Sequence, residues 1–176
     1  MKRYHPFLVT LHWILAIAIA AWLLMGSNTL SEMSNSDPEK IGSLKVHMSV
    51  GIGILILMLT RLVVRLRSAK LKPVDVNAVR MNKISTIGHY ALYTVVILMS
   101  VSGIVTAQLT GLGDIVFFGS GATLPETFEG IAPLVAHQVL STILMLLVAG
   151  HLLAALYHQF ALKEKLFSRI WFGNRK

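Results

Sequence analysis

The chain has 176 residues, 55% of them hydrophobic and only 14% charged, with a mean hydropathy of +0.68, values that argue against a soluble domain and for an integral membrane protein. The formal net charge is +8, but the cations lie between apolar runs and not on one soluble face, so a nucleic-acid partner is not expected. There is no cysteine, which excludes disulfides, iron–sulfur clusters, thiolate zinc sites and covalent heme attachment through Cys-x-x-Cys-His.

Crossing the hydrocarbon core takes roughly 20 mostly apolar residues, and four stretches meet that length. The first, about 7–27, follows Lys2 and Arg3 and so invites a signal-peptide reading. Its length, its His12 and the lack of a small-x-small cleavage pattern favour a retained helix. The second span, about 44–65, opens near His47 and ends at Arg61 and Arg65. A polar connector at 70–82, containing Pro73, leads to the third span at about 86–108, with His89 near its start. The loop 109–130 carries five glycines and Pro125, and its apolar patch 115–118 suits an interfacial anchor better than a cover over a site. The fourth span, about 131–162, holds His137, His151 and His158. With no internal repeat or low-complexity tract, the expectation is an all-α membrane protein, one four-transmembrane-helix bundle over residues 1–176.

Charge sets the expected orientation. Under four spans, 14 of the 16 basic residues fall on one side: Lys2, Arg3, the cluster from Arg61 to Lys83, and the tail from Lys163 to Lys176. Lys40 and Lys45 lie on the other, with Glu32, Asp37, Glu39, Asp114, Glu126 and Glu129. Both termini are therefore expected in the cytoplasm, with membrane lipid around the spans.

Histidine is costly in a bilayer, so an intramembrane histidine is a functional hypothesis by default. His47 and His137 share the outer half of the membrane, while His12, His89, His151 and His158 lie in the cytoplasmic half. His5 sits at the cytoplasmic mouth. His137 and His151 are 14 residues apart, about 21 Å along a helix and offset by only about 40° around it, the spacing of two stacked hemes. A bis-imidazole heme needs two facing histidines at one depth. The outer pair can only be His47 with His137. His151 takes its partner from His12 or His89, and the deeper placement of His12 within its span favours His12. Gly51, Gly53, Ser141 and Gly150 beside these histidines leave room for a macrocycle, although ordinary helix packing is the simpler expectation for them. Zinc or di-iron would normally recruit carboxylates or thiolates, and no Asp or Glu occurs inside any span.

His12-Trp13, His47 with Gly51, Gly88-His89-Tyr90, and His137 with Gly150-His151, in this order, resemble the bacterial cytochrome b561 family, which is similar to the cytochrome b subunits of hydrogenase and formate dehydrogenase. The resemblance covers essentially the whole chain. It implies two hemes b, with His12 and His151 as axial ligands of the inner iron and His47 and His137 of the outer. It also implies a multi-pass protein of the bacterial inner membrane, with ubiquinone as redox partner and superoxide as periplasmic electron donor. The outer face offers only Lys40 and Lys45 to steer an anion, which counts against superoxide. The competing reading is a heme-bearing anchor and electron-transfer subunit for a periplasmic dehydrogenase, docked through the acidic outer face. His89 and His158 are candidates for quinone binding, against interfacial or propionate-bonding roles. Arg61 and Arg65 suit heme propionates or snorkelling anchors equally. Trp13, Trp22, Tyr90, Tyr93 and Tyr157 read as packing or belt residues.

Overall fold

Long apolar runs bounded by polar segments give helices wherever every backbone amide must be satisfied internally. In the computed structural model, which describes residues 3–26, 30, 32–68 and 79–173, they form α1 (Pro6–Met25), α2 (Lys40–Arg67), α3 (Val79–Leu109) and α5 (Ala132–Leu156). A short helix, α4 (Leu112–Phe118), lies between α3 and α5, and α5 runs on through a π-helical turn at Tyr157–Ala161. Four of these helices are long and apolar enough to cross a membrane. Lys2, Ser27, Lys70, Lys72, Pro73, Arg175 and Lys176, which entered the span and charge expectations, lie outside the described residues.

Two helices are longer than hydropathy alone suggests. α2 begins at Lys40 and not near 44, and α3 begins at Val79 and not near 86. Polar helix ends carry no apolar signal, so a hydropathy reading finds the membrane core and misses the turns beyond it. His89 is consequently ten residues inside α3, about 15 Å along the axis, and not at its boundary. The rings of His89 and His12 both neighbour that of His151, at 5.4 and 6.3 Å, so depth does not separate the two.

α1 packs along α2, α2 along α3, and α3 most extensively along α5. The first and last described residues meet at one end of the bundle, where the Tyr4 amide donates to the Arg169 carbonyl at 3.1 Å and the Arg3 guanidinium to the Phe172 carbonyl at 3.0 Å. We call this the proximal end and the other the distal end. Intramembrane hydroxyls are satisfied locally: Thr60, Ser100 and Thr106 each donate to the carbonyl four residues back, at 2.8, 3.0 and 2.8 Å.

The apolar patch 115–118 is part of α4, which stands between left-handed glycines, Gly111 (φ 67°) and Gly119 (φ 60°), that let the chain turn sharply at each end. Its Leu112 and Val116 are buried with Leu44 and Ala107 and close the distal end. At the bundle centre, Leu15, Leu23, Ile54, Met58, Tyr93, Val96 and Leu144 form one core.

Candidate functional site

The four long helices carry their distinctive residues in steps of seven, two helical turns, which keeps each series on one face. α1 with its C-cap presents His12, Ile19 and Gly26; α2 presents His47, Ile54 and Arg61; α3 presents His89, Val96 and Gly103; α5 presents His137, Leu144 and His151. Because neighbouring helices run in opposite directions, the series align as three layers. His12, Arg61, His89 and His151 form the proximal layer, and Gly26, His47, Gly103 and His137 the distal one. Ile54, Val96 and Leu144, all in the central core with Ile19 packed against it, separate the two.

In the distal layer the His47 and His137 rings face each other across the bundle with centroids 6.1 Å apart and planes at 70°. The His137 Nδ1 donates to the Met99 carbonyl at 2.8 Å, and the Ser102 hydroxyl donates to the same oxygen at 2.8 Å. A carbonyl only accepts, so Nδ1 carries the proton and Nε2 keeps its lone pair for a metal. Gly103 makes this placement sterically feasible: a Cβ there would lie 3.1 Å from the His137 Cε1 and 3.2 Å from its Nδ1. At Gly26 a Cβ would lie 3.8 Å from the His47 Cε1, an ordinary van der Waals contact, so His47 does not demand a glycine there. Trp22 ties α1 to α2 here, its indole N–H reaching the His47 carbonyl at 3.3 Å. The His47 Nδ1 is buried without a hydrogen-bond partner.

The proximal layer gathers three imidazoles. The His12 and His151 centroids are 6.3 Å apart with planes at 73°, and the His89 ring lies 5.4 Å from His151 at 77°. The His89 Nδ1 donates to the Ser85 carbonyl at 2.6 Å, leaving its Nε2 as an acceptor. Arg61 lies within electrostatic reach of all three rings. His158 is separate: its Nδ1 bonds the Glu164 carboxylate at 2.7 Å beyond the end of α5.

These residues fit a heme held between paired imidazoles. Two imidazoles that held one metal between them, through bonds of about 2.0 Å, would stand roughly 6 Å apart between ring centres. His47–His137 and His12–His151 both match this spacing, whereas His89–His151 is shorter. A Cβ added at Gly51, Gly53 or Gly150 would meet no protein atom within 4 Å. Helix packing, the simpler expectation for these glycines, therefore does not explain them. Among the described residues no three His, Asp or Glu side chains converge on a bare metal ion, so the donor set suits a cofactor that brings its own equatorial ligands.

Two residues of the site carried too little signal to be singled out in the sequence. Gly103 looks like any small residue of a membrane helix. Tyr93 reads as packing, yet it is buried under Arg61 and Arg65, whose guanidinium carbons each lie 5.8 Å from its ring centroid. Trp13 does more than pack. Its indole donates to the Ile170 carbonyl at 2.8 Å and its ring meets Trp171 at 5.7 Å, holding the C-terminal segment against α1 beside His12.

The chain is similar to a probable superoxide oxidase, CybB, of Yersinia pestis, with 28% identity over 175 residues that cover 96% of each chain. The family description for prokaryotic cytochrome b561 matches residues 3–173. With this match over nearly its whole length, the chain belongs to the prokaryotic cytochrome b561 family.

Proposed function

We propose that the chain is a diheme electron carrier, with one heme b between His47 and His137 and a second between His12 and His151. It passes electrons across the bacterial inner membrane to a quinone. Membership of the family implies a b-type heme and membrane electron transfer. The observation that carries the diheme reading is the pair of facing imidazole couples, at 6.1 and 6.3 Å, set 14 residues apart on α5. Heme iron, when bound, supplies the one-electron chemistry, and the protein supplies position, ligands and dielectric.

The cationic proximal end is cytoplasmic by the positive-inside rule, with both termini there, and the acidic distal end is periplasmic. At the proximal end His89 is the imidazole for a quinone carbonyl. Its Nδ1 proton is committed to Ser85, so Nε2 hydrogen-bonds the carbonyl only once it has taken up a proton, and it then hands that proton on in quinone reduction. His158 is engaged by Glu164 and anchors the turn after α5. Reducing one quinone takes two electrons and two protons, hence two successive one-electron deliveries from the distal layer.

The relative's name favours superoxide as the donor, which would give up one electron to become dioxygen. Lys40 is buried, with its ammonium donating to the Leu30 and Met33 carbonyls at 2.6 and 2.8 Å, so Lys45 is left as the exposed distal lysine. The exposed Glu32, Glu39, Asp114, Glu126 and Glu129 favour a second reading, in which this face docks a periplasmic redox protein. Stopped-flow mixing of the purified protein with superoxide separates the two. Heme reduction faster than chemical dismutation supports the oxidase reading. No such reduction, with a periplasmic dehydrogenase co-purifying, supports the subunit reading.

A further inference from the structure

The two layers differ in charge. Arg61 occupies the position in the proximal layer that His47 occupies in the distal one, and Arg65 follows one turn beyond it. Neither arginine forms an ion pair with a carboxylate among the described residues, where His158–Glu164 is the one such pair. The Arg61 Nε is buried with no hydrogen-bond partner, and so is the hydroxyl of Tyr93, which is 6% exposed beneath both guanidiniums. Arg61 reaches His12, His89 and His151 electrostatically, and Arg65 reaches His89. No lysine or arginine among the described residues acts comparably on His47 or His137. Lys40 is two turns beyond His47, about 10.5 Å along the axis, and is turned to the Leu30 and Met33 carbonyls.

We propose that Arg61 and Arg65, seated on Tyr93, make the proximal layer the stronger electron acceptor of the two and so fix the direction of transfer from His47–His137 to His12–His151. This rests on the diheme reading above. A site that gains an electron gains a negative charge, and a fixed cation in a low-dielectric setting stabilises that state more than it would in water. The carboxylates that a heme brings do not reverse the sign. In the proximal layer the guanidiniums and the Tyr93 hydroxyl would be available to them as hydrogen-bond donors, whereas no lysine or arginine among the described residues acts comparably on the distal pair. One electron leaves the distal layer and one arrives at the proximal layer, with no bond made or broken. The one-electron donor at the distal face and the quinone at the proximal face complete the balance.

Potentiometric titration of the purified protein, with its two spectral components assigned through His47→Ala, tests this directly. The proximal component is expected to have the higher potential. Arg61→Gln and Arg65→Gln should each lower it, shifting electron partition between the layers by about tenfold, about 59 mV for a one-electron couple, and leave the distal component in place. The Lys variants, which keep the charge, should stay near the parent. A distal component with the higher potential, equal shifts in both components, or Lys variants that move as far as Gln would overturn the proposal. Should Arg61→Gln not retain its proximal heme, Arg65→Gln carries the same test. A parent with fewer than two hemes refutes the diheme reading instead, whereas two hemes with unmoved potentials refute only the directional role of the arginines.

Discussion

Gly103 is the point at which a single methyl group tests the distal site. An alanine Cβ there would sit 3.1 and 3.2 Å from two atoms of the His137 ring, inside the 3.5–4.0 Å of an ordinary carbon contact. The ring must yield by a few tenths of an ångström, and its 2.8 Å bond to the Met99 carbonyl resists that shift. Overpacking of this kind costs about 1–3 kcal/mol, against a gain of about 1 kcal/mol from replacing glycine in a helix. The net effect is a loss of up to about 2 kcal/mol, concentrated on His137. Gly103→Ala should therefore weaken, or shift the potential of, the distal heme component and spare the proximal one, as read by reduced-minus-oxidised spectra during a redox titration. Gly42→Ala, where the added methyl meets nothing within 4 Å, is the control for the helix effect. A Gly103→Ala protein whose two components both match the parent would refute the reasoning.

His47→Ala or His137→Ala should remove the distal component alone, and His12→Ala the proximal one, while His89→Ala keeps both hemes but slows quinone reduction. Loss of the proximal spectrum in His89→Ala, with His12→Ala intact, would reassign the ligand. Lys40→Met removes an ammonium that holds two carbonyls, and unpaired buried acceptors cost about 1–3 kcal/mol; a lower thermal midpoint with faster proteolysis of the 30–39 loop is expected, and an unchanged cleavage rate would count against the buried bonds. Trp13→Phe removes the bond to the Ile170 carbonyl, worth about 0.5–1.5 kcal/mol, and should speed trypsin cleavage after Lys163 and Lys165 while both hemes remain bound.

Much of this architecture is legible in the chain because membrane helices and intramembrane histidines are both tightly constrained by the bilayer. The 14-residue step from His137 to His151 exposes two levels, and His47 has a single partner at its depth. The matching steps from His12 to Gly26, His47 to Arg61 and His89 to Gly103 are harder to see, since they join residues of unlike chemistry that become equivalent only when antiparallel helices are set side by side. Helix ends such as 40–43 and 79–85 are polar and escape a hydropathy reading. α4 also escapes it, because seven residues between glycines look like loop until Leu112 and Val116 find Leu44 and Ala107. Spacing along the chain already favours His12 over His89 as the partner of His151, and the ring separations of 6.3 and 5.4 Å are consistent with that preference.

The most direct test of the account is the number of hemes b per chain, measured by pyridine hemochrome against quantitative amino-acid analysis of the purified protein. Two facing imidazole couples predict two hemes per chain. A value of one would contradict the two-layer account.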